Sequence, residues 1–156
     1  KIVGPVYGVK NALDLDTMPN ATGSVDFADW PAAVASLGVG IAPLEDSRFN
    51  HSKSWLKLIE MAALGVPWVA SPRVEYARFH ELGAGMLATK PQHWYRHLRT
   101  LATNAGLRQE MSEAGRAVAA QHTVEGNAHR WWEAWEAAYR LQRQAATAGA
   151  VGLVRA

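Results

Sequence analysis

The chain has no cysteine, and that single absence excludes a disulfide framework, a thiolate metal site and a cysteine nucleophile. Long hydrophobic runs are missing too. The purely apolar stretches are a few residues long, far short of the roughly 20 needed to cross a bilayer, so no membrane span is expected. Charge of one sign is scarce: 16 basic and 14 acidic residues leave a net charge of +2. No Lys/Arg run marks a nucleic-acid groove, and no nucleic-acid partner is expected. No G-x-G-x-x-G opens a helix, because Gly38-Val39-Gly40 lies in a strand-like run without a third glycine. The P-loop and the G-x-S-x-G elbow are missing as well. A dehydrogenase, an ATPase and an α/β-hydrolase are therefore without support.

What is present is a globular composition. The 156 residues, 49% apolar and 19% charged, are enough for one ordinary domain with its own core. No leader is expected ahead of the first structured run, and the expected location is cytoplasmic. The chain begins at Lys1, and Ile2-Val3-Gly4-Pro5 reads as the end of a strand, so an excised or N-terminally truncated domain is expected. Short apolar runs then alternate with helical patterns, the mark of βαβ units. Asp29 is placed to cap a helix over Ala32–Leu37, with Pro31 in its first turn. Val39–Leu44, Val66–Ser71 and Met86–Ala88 read as strands. Lys53–Leu64 and Val74–Leu82 read as the helices between them, the first stopped by Gly65. From Pro91 the pattern is helical throughout: Pro91–Ala105, Leu107–His122 after a break at Gly106, and Val124–Ala146 capped by Thr123. The expected fold is α/β, a partial doubly wound, Rossmann-like parallel sheet with a helical C-terminal extension. Its parts are a nucleotide-binding region over 1–122, an amphipathic helix over 123–146 and a loose tail over 147–156.

The helix Lys53–Leu64 carries the best site signal. At 100° per residue Trp55, Ile59, Ala62 and Ala63 share one side, and Lys53, Lys57 and Glu60 share the other. One reading is a solvated stripe with a Lys57–Glu60 pair, contributing about 0.2–0.5 kcal/mol. The other starts from position. In open α/β sheets ligands bind beyond the carboxyl ends of strands, where loops such as Glu45–Ser52 lead into helix N-termini. A lysine in the first turn opposes the helix dipole, yet free N–H groups and a cation at that end suit a phosphate.

The run Asn50-His51-Ser52-Lys53-Ser54-Trp55-Leu56-Lys57-Leu58-Ile59-Glu60, followed by Ala62-Ala63-Leu64-Gly65-Val66-Pro67 and Val69-Ala70-Ser71, resembles the donor-binding segment of GT-B glycosyltransferases. Its form is that of the glycosyltransferase family 4 group, FNxxKSxLKxLExxALGxPxVAS. Asp29-Trp30-Pro31, Val39–Leu44, Gly83-Ala84-Gly85-Met86-Leu87 and Trp94 extend the resemblance over about residues 1–140. The resemblance implies a retaining glycosyltransferase whose donor, a nucleotide diphosphate sugar, binds to this chain. Glu60 would bind the ribose hydroxyls. Lys53, Ser52 and Ser54 would lie near the diphosphate, with the lysine stabilising its charge as it leaves, so that no metal and no cofactor is expected. Asp46, Ser47, Arg48, Phe49 and Asn50 would line the donor sugar or phosphate. Ser52 stands where the E-x7-E form of the motif has its first glutamate. The acceptor-binding N-terminal domain of such enzymes is not in the chain, so the chain alone is expected to be inactive, and no catalytic residue is assigned.

Other motifs carry less. Asp14-Leu15-Asp16 has the D-x-D form of a metal site but sits in a polar loop, where a turn or cap role is the better reading. His93 and His97 are four apart, but Trp94 follows where the zinc motif H-E-x-x-H needs Glu; surface histidines are expected. Trp131, Trp132, Trp135 and Tyr139 give the last helix an aromatic face, expected to be buried on its own domain or, in part, to meet an absent domain or a protein partner. The alternative to an enzyme is a non-catalytic relic of the GT-B fold that serves as an interaction or structural module.

Overall fold

Three apolar runs, separated by helical segments too long for hairpins, pair side by side as parallel strands. The computed structural model describes residues 2–4, 9–12, 14 and 16–153, the side chains at 9, 12 and 146–153 excepted. The elements run α1 (Val9–Ala12), α2 (Trp30–Ala35), β1 (Gly40–Ala42), α3 (Arg48–His51), α4 (Leu56–Ala63), β2 (Trp68–Ala70), α5 (Val74–Glu81) and β3 (Met86–Leu87). The helices α6 (Pro91–Thr103), α7 (Ala105–Ala120) and α8 (Val124–Leu153) complete the order. The sheet order is β1-β2-β3, with Ile41 opposite Val69 and Val69 opposite Met86. The fold is the expected α/β class, a small parallel sheet with a long C-terminal helix.

Side chains alternate across a strand, and β2, buried along its length, feeds two cores. Trp68 and Ala70 join Leu58, Met61 and Ala62 of α4, Tyr76 and Phe79 of α5 and Val118 and Ala119 of α7. Val69 joins Ala88 and Leu101, with Trp94 and Leu98 of α6 and Leu107 and Met111 of α7 packed around them. Helices thus cover both faces of the middle strand, as parallel sheets require. The chain divides into two compact units, Lys1–Ala120 and Gln121–Ala156.

Several local expectations are corrected. The helix expected over Lys53–Leu64 starts at Leu56, with Trp55 in the N-cap position. Ahead of it α3 forms separately, because Ser47 caps it by accepting the Asn50 N–H at 3.3 Å. Asp29 occupies the N-cap position of α2 but makes no side-chain capping bond. The break between α6 and α7 falls at Asn104, whose Oδ1 accepts the Leu107 N–H at 2.9 Å; Gly106 lies inside α7. Ile2 and Gly4 form isolated bridges with Ala21 and Gly23 rather than a strand, and Pro5 lies outside the described residues. Thr123 does cap α8, its Oγ1 accepting the Gly126 N–H at 3.1 Å. That helix is assigned to Leu153, which includes much of the segment read as a tail; residues 154–156 lie outside the description. The rings of Trp131, Trp132, Trp135 and Tyr139, expected to be buried, are 59–67% exposed.

Gly85 is where the fold most needs a glycine. Its φ is +69°, and a Cβ there would run into the indole of Trp68. A left-handed conformation and an overpacked ring both oppose any larger residue. Gly85→Ala is expected to destabilise the first unit by about 2–4 kcal/mol, read as a lower urea midpoint with an unchanged slope.

Candidate functional site

Past the carboxyl end of β1 the chain must turn to reach α3 and α4, and its backbone groups need partners there. Buried Ser71, just after β2, supplies one: its Oγ accepts the Leu44 N–H at 2.9 Å, while its own N–H donates to Ala42 at 3.2 Å. Arg73 supplies another, donating to the Leu44 carbonyl at 3.3 Å. Its guanidinium also reaches Asp46 Oδ2 at 3.4 Å, and Asp46 Oδ1 lies 2.6 Å from His51 Nε2. The Nε of Arg73 is buried with no partner among the described residues.

The loop expected to line the donor is therefore engaged with itself. Asp46 is held by Arg73 and His51, Ser47 caps α3, and Asn50 donates to the Glu45 carbonyl at 3.1 Å. Ser52 donates to the Arg48 carbonyl at 3.4 Å. Arg48 and Phe49 are exposed, and Lys53 Nζ lies 5.2 Å from the centre of the Phe49 ring, a cation–π contact.

The other candidates converge. Lys53, Ser54, Lys57 and Glu60 line one cavity of about 240 Å³ with Leu56 and Tyr76. Lys53 and Glu60 are half-buried and Lys57 is exposed. Lys53 lies ahead of α4 rather than in its first turn; the lysine that opposes the dipole is Lys57, in a first turn without an acid. The expected Lys57–Glu60 pair is not formed, so the carboxylate and both ammonium groups face the cavity without ion-pair partners among the described residues. Lys57 and Glu60 also border a second cavity of about 320 Å³, whose other walls are apolar and include Trp30, Val34, Leu37 and Met61.

The sequence did not point to Tyr76 or Arg73. Both come from the start of α5, and only the packing of α5 beside α4 brings them to the site. Tyr76 is 2% exposed, and burial pushes its phenol above the ordinary value of 10.0.

Against this geometry, a family profile described as "glycosyl transferase-like" matches residues 1–133. The chain belongs to the glycosyl transferase-like family. That membership supports a role in glycosyl transfer in general. No curated protein and no solved structure matches the chain.

The remaining motifs stay outside this site of the glycosyltransferase-like chain. Asp14 sits in a turn with φ +49°, its N–H donating to Asn11; Leu15 lies outside the described residues. His93 and His97 are half-buried rather than on the surface, with ring centres 6.2 Å apart. His93 pairs with the Thr89 hydroxyl at 2.8 Å. Burial first, then Arg96 and His93, lowers the His97 pKa, against a hydrogen bond with the Leu87 backbone that raises it. Among the described residues no three His, Asp or Glu side chains gather as a metal site would need.

Arg73 holds the loop mostly through the Leu44 carbonyl, since Asp46 is too exposed for its ion pair to contribute more than about 1 kcal/mol. Arg73→Ala is expected to raise amide hydrogen exchange across residues 45–52 several-fold while leaving α6 and α7 unchanged. Unaltered exchange in the loop would show that Ser47 and Ser71 suffice to hold it.

Proposed function

We propose that this chain is the nucleotide-sugar donor-binding half of a GT-B glycosyltransferase of retaining type. The observation that carries the reading is the position of Glu60 and Lys57 between two unlike cavities. One is small and bordered by two lysines; the other is larger and walled by apolar side chains. A nucleotide has the same order of parts. Its base suits the apolar walls beside Trp30, its ribose falls at Glu60, and its diphosphate falls at Lys53, Ser54 and Lys57. A carboxylate can accept from two vicinal hydroxyls at once. Two ammonium groups placed where the diphosphate leaves stabilise the charge that develops on it. On this reading no divalent cation is needed, and Ser52 and the loop 46–50 shape the wall near the sugar through their backbone.

The acceptor and the rest of the active site belong to an N-terminal domain, without which this chain does not turn over. The exposed Trp131, Trp132, Trp135 and Tyr139 face of α8 suits that domain or another protein. The same face favours the second reading, a non-catalytic module of this fold used for interaction.

Calorimetric titration with UDP, GDP, ADP and dTDP in EDTA tests the first reading. One of them is expected to bind, and Glu60→Ala is expected to weaken it by at least about 1 kcal/mol, the scale for a charged hydrogen-bond partner. Added magnesium is expected to leave the affinity within about twofold. No binding of any nucleotide at millimolar concentration would remove the donor site and leave the interaction module.

A further inference from the structure

Tyr76 is the one polar residue lining the small cavity that the donor reading does not use. It lies in the first turn of α5 and is 2% exposed, yet it borders the cavity with Lys53, Ser54, Lys57 and Glu60. Its ring belongs to the core with Phe79, Trp68 and Leu58, and phenylalanine would fill that space as well. The hydroxyl is what packing does not explain. No hydrogen bond from the described residues reaches it, and it is not among the buried polar atoms left without a partner, so its oxygen opens to the cavity. The group at the cavity is therefore a directional donor without an acceptor, beside two ammonium groups. Burial raises its pKa, so it stays protonated at neutral pH and beyond.

We propose that the Tyr76 hydroxyl binds the ligand directly, donating to an anionic phosphoryl oxygen of the nucleoside diphosphate between Lys53 and Lys57. This rests on the donor reading above and adds a second element, α5, to a small cavity otherwise built from α4 and the segment before it. The division of labour follows from the chemistry. Lysines supply charge with little directionality, and a phenol fixed by its packed ring supplies direction without adding charge. A cavity of about 240 Å³ is also smaller than the roughly 300–1,000 Å³ of sites that enclose a whole ligand, which suits one phosphoryl-bearing part of a donor rather than the whole.

The test is titration of the chain and of Tyr76→Phe with the four nucleotides and with inorganic pyrophosphate, each chain's unfolding midpoint serving as the folding control. The expected result is that the variant unfolds at a similar midpoint and binds both the preferred nucleotide and pyrophosphate about tenfold or more weakly. Equal affinity of the two chains for the nucleotide would overturn the role of Tyr76 and leave the donor reading standing. Should pyrophosphate bind as tightly as every nucleotide and the variant still lose it, Tyr76 would stand as an anion ligand and the nucleotide reading would fall. If the unaltered chain binds neither, both fall.

Discussion

The walls of the candidate site are held by a ladder of three aromatic rings. Trp68, in the middle of the sheet, sits where Gly85 leaves room for its indole. Phe79 of α5 stacks on it at 6.0 Å between ring centres, and Trp55 packs on Phe79 at 5.3 Å. Trp55 is also the residue from which α4 starts, its carbonyl accepting the Leu58 N–H at 2.8 Å. The ladder thus joins the start of α4, with Lys53 and Ser54 just before it, to the helix that carries Tyr76. Phe79 lies three residues past Tyr76, on the same side of α5. What fixes the rings fixes the distance between the two walls.

That ladder also marks the limit of what the sequence discloses. The three strands, the helices α5 to α7 and the start of α8 were legible within a few residues, because periodicity and flanking glycines or prolines report on one element at a time. Lys53, Lys57 and Glu60 were legible as one stripe for the same reason. The start of α4 was misread because the spacing of apolar residues runs on through Lys53, while the backbone is interrupted by a competing local structure. Ser47 caps α3 and Ser52 turns its hydroxyl back to Arg48, a local side-chain bond of the kind that competes with helix continuation. Tyr76 and Arg73 were not legible at all. Neither stands in a patterned stripe, and each meets the site through contacts between elements that no spacing encodes.

The correction at α4 changes the electrostatic argument without removing it. With Lys53 outside the helix, its charge no longer opposes the dipole; it sits over the Phe49 ring, half-buried. Lys57 inherits the unfavourable position, in a first turn without an acid to offset it. A helix that placed an acid there would gain about 0.3–1 kcal/mol from the dipole, so the arrangement is costly to the isolated fold. It becomes favourable when an anion lies at that end, near the free N–H groups.

The loop and the cavity, treated as one site in the sequence, separate in the structure by how their polar groups are engaged. In residues 46–52, Asp46, Ser47, Asn50, His51 and Ser52 all have partners within or beside the loop. At the cavity, the side chains of Lys57, Glu60 and Tyr76 have no hydrogen-bond or ion-pair partner among the described residues. A group already engaged must break a bond to meet a ligand, whereas an unpartnered one gains its first. On the donor reading the binding free energy is concentrated in the cavity, and the loop acts as the frame that Arg73 and Ser71 tie to the ends of β1 and β2.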